Sequence, residues 1–124
     1  MANFQNIVPK RLAQAAMTTG FTSIYTAPVN TRTFVKDMDI CNTNASSVTV
    51  SVCLVPYTAT NTVGTPGVNN AILYNVAIPA NSTMQWTGSQ IMNGPANNTQ
   101  AGDIIAVKAS TTGVTITVSG GEAT

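Results

Sequence analysis

Residues 46–56, SSVTVSVCLVP, alternate small polar and branched apolar side chains almost without a break. Val48, Val50, Val52 and Leu54 fall on one face of an extended chain, and Ser47, Thr49, Ser51 and Cys53 fall on the other. Successive side chains of a strand point to opposite faces, so a period of two predicts an antiparallel strand buried on one side. Nothing in the stretch carries chemistry. Its content is architectural.

The same period recurs along the chain. In RTFVKDMDIC, Phe34, Met38 and Ile40 are expected on one side, with Asp37 and Asp39 opposite. Lys36 interrupts the apolar face and is expected near a rim, where its stem lies along apolar surface and its charge stays in water. Residues 42–46, NTNAS, have turn chemistry and predict a hairpin between these two strands. Downstream, Ile72, Tyr74, Val76 and Ile78 alternate up to Pro79, and PANS supplies a turn. Met84 and Trp86 then alternate with Thr83, Gln85 and Thr87. Ile105, Val107 and Ala109 form another strand, and Gly113 turns the chain into Val114, Ile116 and Val118. A shorter strand, TSIYTAP, leads to Pro28. Together these give about seven or eight strands at turn spacings suited to an all-β, single-domain antiparallel β-sandwich or jelly roll. Residues 57–70 and 88–102 read as long polar surface connections.

The first twenty residues stand apart, so the chain divides into an N-terminal arm (1–20) and a β-sandwich domain (21–124). Pro9 and Gly20 could bracket a short helix, but an isolated helix of that length is marginal. An extended arm is preferred, its later part around RLAQAAM adding to a sheet edge.

Composition removes several kinds of function. The chain has 124 residues, enough for one core, and charged residues make up 7% with a formal net charge of +1. The basic residues Lys10, Arg11, Arg32, Lys36 and Lys108 are scattered, whereas nucleic-acid binding needs a concentrated basic patch. No nucleic-acid partner is expected. Low charge instead suits a surface that meets other protein. No apolar run is long enough to span a bilayer, and the opening residues lack the apolar core of a secretory signal, so no membrane association is expected.

Chemistry is equally sparse. With no histidine, neither a Ser-His-Asp nor a Cys-His arrangement is available. No catalytic or cofactor-binding residues are assigned, and no cofactor is expected. Asp37 and Asp39 project from one strand face, but calcium takes six to eight oxygens and no other acids lie near in sequence; no metal site is expected. In the predicted hairpin Cys41 and Cys53 sit near opposite ends of the ribbon, on the order of 20 Å apart at ~3.3 Å per residue, too far for a bridge. They are expected to be free thiols. Trp86 shares its strand face only with Met84, which favours a core or subunit-contact role over a sugar-stacking platform.

The order of segments SIYTAPVNTRTFVKDMDICNTNASSVTVSVCLVP, NAILYNVAIPANSTMQWTG and AGDIIAVKASTTGVTITVSGGE resembles small all-β virion structural proteins of tailed bacteriophages. The resemblance covers about residues 22–122 and consists of strand and turn punctuation, without a catalytic signature. It implies a virion protein made in the host cytoplasm, most simply a capsid decoration or cement protein that stabilises the assembled shell. The alternatives are a tail, head–tail or fibre component and, from another class, a carbohydrate-binding host-adhesion module. A homo-oligomer contacting other virion proteins is expected, and no enzyme. The arm holds Phe4, Ile7, Val8 and Leu12, apolar residues without a periodic place in the sandwich, together with Lys10 and Arg11. These six are the expected contacts with a neighbouring subunit or the particle lattice.

Overall fold

The computed structural model describes residues 7–59, 62–97 and 100–124. Among these residues ten strands follow one another: β1 (Ile7–Ala16), β2 (Thr22–Thr26), β3 (Arg32–Asn42), β4 (Val48–Val55), β5 (Tyr57–Ala59), β6 (Thr62–Val63), β7 (Ala71–Ile78), β8 (Ser82–Asn93), β9 (Ile104–Ala109) and β10 (Val114–Ala123). Eight of them make two four-stranded antiparallel sheets, ordered β1-β10-β3-β8 and β2-β9-β4-β7, and β5 and β6 form a small separate ribbon. The pairs β1–β10, β2–β9, β3–β8 and β4–β7 are nested one inside the next. The chain is thus one long hairpin rolled into a two-sheet sandwich, the topology of a jelly roll.

The alternating apolar positions meet between the sheets. Met38, Ile40, Ile116 and Val118 come from one sheet, Val50, Val52, Ile105 and Val107 from the other, and all are 1% exposed or less. Residues 7–16, which the sequence places in an arm, form β1 and pair along β10 as the edge strand of the first sheet. That is the sheet-edge role expected of the later part of the arm, and the pairing extends back to Ile7.

Several local expectations change. The hairpin between β3 and β4 does not form, since β3 lies in one sheet and β4 in the other. Both strands turn their apolar residues to the same core from opposite sides, and parity alone does not distinguish that from edge-to-edge pairing. Residues 42–46 are a corner between sheets. The buried Asn42 amide donates to the carbonyls of Ser46, Ile78 and Pro79 at 3.0–3.1 Å. Cys41 and Cys53 are free because they belong to different sheets, not because a ribbon separates them.

Phe34 does not share a face with Met38 and Ile40. The β3–β8 register shifts between Val35 and Asp37, Thr33 and Val35 point inward at 0% exposure, and Phe34 between them faces outward. A β-bulge inserts one unpaired residue and reverses the alternation beyond it. Tyr74 likewise leaves the face of Val76 and Ile78 and is 51% exposed, because Asn75 takes a left-handed φ of 50° and bonds Ser51 through its backbone N–H (3.0 Å).

The connections also differ. Residues 88–93 belong to β8 rather than to a loop. The turn that follows brings Gly94 so close to residues 28–31 that a Cβ there would lie 1.6 Å from the Pro28 oxygen. Residues 57–70 contain β5, β6 and a 3-10 turn at Val68–Asn70. The Gly67 carbonyl accepts a hydrogen bond from the buried Cys53 thiol (3.6 Å), so this segment lies over the outer face of β4.

Candidate interaction surface

The strand register lines up four residues across the outer face of the β1-β10-β3-β8 sheet. Pro9 pairs with Gly121, Gly121 with Phe34, and Phe34 with Ile91. Three are apolar, and the fourth has no side chain. Gly121 therefore leaves a gap in the row, and a Cβ there would stand 2.8 Å from Ile7 Cγ2. The result is a groove of about 390 Å³ lined by Ile7, Pro9, Phe34, Gly120 and Gly121, with Lys36 and Ser89 at its polar side. Lys36 Nζ donates to Ser89 Oγ at 3.2 Å, which holds the ammonium beside the apolar floor. Ile7 and Ile91, at 54% and 52% exposure, flank it. Isolated exposed apolar residues are ordinary, but a contiguous patch on a rigid sheet marks an interaction surface.

A polar cluster fixes the strand that carries Ile7 and Pro9. Lys10 Nζ lies 3.1 Å from Glu122 Oε1. The Tyr25 hydroxyl, reaching across from β2 in the other sheet, donates to Glu122 Oε2 at 2.5 Å and lies 2.7 Å from Thr33 Oγ1. Burial, then the hydrogen bond to the Glu122 carboxylate, pushes the Tyr25 phenol well above its ordinary value of 10.0. A neutral phenol donating to a carboxylate thus ties β2 to β10 beneath β1.

Five of the six residues expected to make contacts are described, all on β1, and their surroundings differ. Ile7 lines the groove, and Val8 is exposed at 60%. Lys10 is engaged with Glu122, and Arg11 faces solvent. Leu12, partly buried, packs against the chain's own core. Phe4 lies outside the described residues. Sequence reasoning missed Pro9, Phe34, Ile91 and Gly121. The signal for Phe34 was Lys36, a charge set within an apolar alternation, where the bulge sits.

Among the described residues, no three His, Cys, Asp or Glu side chains are grouped to hold a metal ion. Asp37 instead accepts a hydrogen bond from the Gln85 amide at 3.3 Å. No helix among the described residues is long and apolar enough to cross a membrane.

No family model matches the chain, and no curated protein matches it. Two solved structures resemble it. A chain in the structure of the Gx strain of infectious bursal disease virus superposes with a TM-score of 0.51 at 8% identity, covering 95% of this chain and 33% of that one. A chain in the crystal structure of the same virus's particle gives 0.49 and 8%, covering 98% of this chain and 31% of that one. This chain spans about a third of the length of the proteins it matches. At such low identity the likeness of the first establishes the fold alone, a jelly roll, and that agrees with the strand order read directly from the pairing.

Proposed function

We propose that the protein is a structural component of a virus particle, a capsid decoration protein of the tailed-bacteriophage type that works as a homo-oligomer on the assembled shell. The observation that carries this reading is the apolar row Pro9–Gly121–Phe34–Ile91 with Ile7 beside it, open on the outer face of a charge-poor jelly roll. The fold likeness to a chain of infectious bursal disease virus supports it. Such a face buries apolar area against a flat protein neighbour at about 25 cal/mol per Å², and many copies gain avidity from modest single contacts. A protein that binds the closed shell but not its separated subunits stabilises the shell by mass action.

The test uses shells and tails of the encoding virus, each prepared without this protein. Added chain should co-sediment with shells to saturation and raise the temperature at which they come apart. Phe34→Ser and Ile91→Asp should each weaken that binding about tenfold, as for a central apolar contact, with circular dichroism unchanged. Binding to tails alone would make it a tail component. Binding to neither would overturn the virion reading.

A further inference from the structure

Away from the apolar row, where β7 and β8 face each other at the side of the sandwich, the two sheets part around a cleft of about 580 Å³. That is the size of small-molecule sites in general. Leu54 and Ile72 line it from one sheet, Trp86 and Gln90 from the other, and Asn69 and Asn70 close it from the segment leading into β7. None of these groups is charged, so nothing here would neutralise a phosphate, carboxylate or ammonium.

The polar groups divide into those already used and those left open. The Asn70 amide is spent on its own loop: its oxygen accepts from Gly67 N–H at 3.1 Å, and its nitrogen donates to Thr65 O at 3.0 Å. This fixes the turn that sets Asn69 at the mouth of the cleft. Among the described residues, none hydrogen-bonds the Asn69 amide, the Gln90 amide or the Trp86 indole N–H. Trp86 packs partly against the core and lines the cleft with the rest of its ring. Its ring edge runs along β8 over Gly88, where a Cβ would lie 2.9 Å from Cζ2. Any side chain at position 88 would push the ring away.

The cleft therefore offers an aromatic surface held in place, apolar walls, two free amides that both donate and accept, and an indole donor. The matching ligand is uncharged, with an apolar face and a rim of hydroxyls. We propose that this cleft binds a neutral saccharide of one or two units, its ring against Trp86 and its hydroxyls bonded by Gln90 and Asn69. The site lies apart from the apolar row, so the proposal does not depend on what that row docks against. It also supplies what the sequence alone lacks, since Trp86 finds company across the sandwich in Leu54, Ile72 and Asn69 as well as Gln90 on its own strand.

Trp86 is the sole tryptophan of the chain, which makes intrinsic fluorescence a direct reading of the cleft. The full chain is titrated with glucose, galactose, mannose, N-acetylglucosamine and their common disaccharides, with sialic acid as a charged comparison. At least one neutral sugar should shift Trp86 emission with saturation in the millimolar range. Gln90→Ala should weaken it roughly tenfold, about what one lost hydrogen bond is worth. Trp86→Phe, followed by calorimetry, should abolish it, and Gly88→Val should do the same with the amides intact. Three results would each overturn the proposal: no response to any neutral sugar, a response unchanged in the Asn69→Ala, Gln90→Ala double variant, or sialic acid binding as tightly as the neutral sugars.

Discussion

The outer face of the β2-β9-β4-β7 sheet buries Cys53, Val55 and Ala106 to 1% exposure or less, while the outer face of the β1-β10-β3-β8 sheet leaves Ile7 and Ile91 more than half exposed. The first is covered from within. Phe21 packs there with Ala71 and Ile104, Gly67 accepts from Cys53, and Lys108 sits 5.1 Å from the Phe21 ring centre. The second has apolar residues in register and no segment of the described chain over them. Both sheets depart from apolar-in, polar-out alternation, but only one supplies its own cover. An apolar face left bare on a rigid sheet is the natural place for another molecule.

The largest effect expected is in the core that both sheets share. Val50 is 1% exposed, and Val50→Asp would bury a carboxylate without a partner, a loss of about 4 kcal/mol or more. Thr49 is exposed, and Thr49→Asp should cost less than about 1 kcal/mol. Urea unfolding of both variants measures the difference. Equal losses would mean that the Thr49 side of β4 is covered along its whole length and not only at Cys53 and Val55.

The contrast between the outer faces is sharpened by one truncation on each. Val55, at 0% exposure, should lose about 2 kcal/mol as Val55→Ala, from lost burial and the cavity left behind. Ile91→Ala on the bare face should change the stability of the isolated chain by under about 0.5 kcal/mol, yet weaken association with shells. If Ile91→Ala were as destabilising as Val55→Ala, the row would be a structural part of the sandwich and not an interface.

What was legible in the sequence was most of the long strands by themselves, because a period of two is local. Val48–Val52 and Val114–Val118 needed only their own neighbours to be read. Pairing was less legible, because the jelly roll joins strands far apart in sequence, and NTNAS has the same composition whether it closes a hairpin or turns a corner between sheets. The Asn42 amide decides between them by binding carbonyls at 78 and 79, more than thirty residues away. The site was hidden for a related reason. The row Pro9–Gly121–Phe34–Ile91 exists only through the register of four strands, and the β3 bulge puts Phe34 in it. Only Ile7 of the expected contact residues lines the groove.

The cover of the second sheet has a root that can be cut. Asp103 is buried; its carboxylate accepts from Tyr57 N–H at 3.3 Å and from Asn93 N–H at 2.9 Å. It joins the start of the covering segment to the end of β8. Asp103→Ala leaves two backbone donors without that partner and should cost about 1.5 kcal/mol. Its specific mark is at Cys53, whose thiol is buried and pushed up from its ordinary value by that burial. Thiol labelling of native protein should quicken at Cys53 in the variant and stay the same at Cys41, on the other sheet. Equal acceleration at both cysteines would report general loosening, and the idea of a locally rooted cover would fail.

The smallest effect concerns the bridge between the two sheets beneath β1. In the folded chain Tyr25 keeps its proton, because burial and the Glu122 carboxylate both disfavour a phenolate, and its value lies above the ordinary 10.0. A raised value means that the folded state holds a proton the unfolded chain would release. The stabilisation from Tyr25 is therefore complete below about pH 10 and is lost as pH rises from there toward the folded value. The melting temperature should fall with increasing steepness above pH 10, and Tyr25→Phe should flatten that part of the curve relative to its own value at neutral pH. Every other group of the chain is the same in Tyr25→Phe, so the difference between the two curves isolates the phenol. Because the bridge lies under the strand carrying Ile7 and Pro9, hydrogen exchange at high pH should quicken in β1 before β4. Parallel curves for the two proteins would mean that Tyr25 titrates as a surface phenol, and that the bare sheet is fastened at this edge by strand pairing alone.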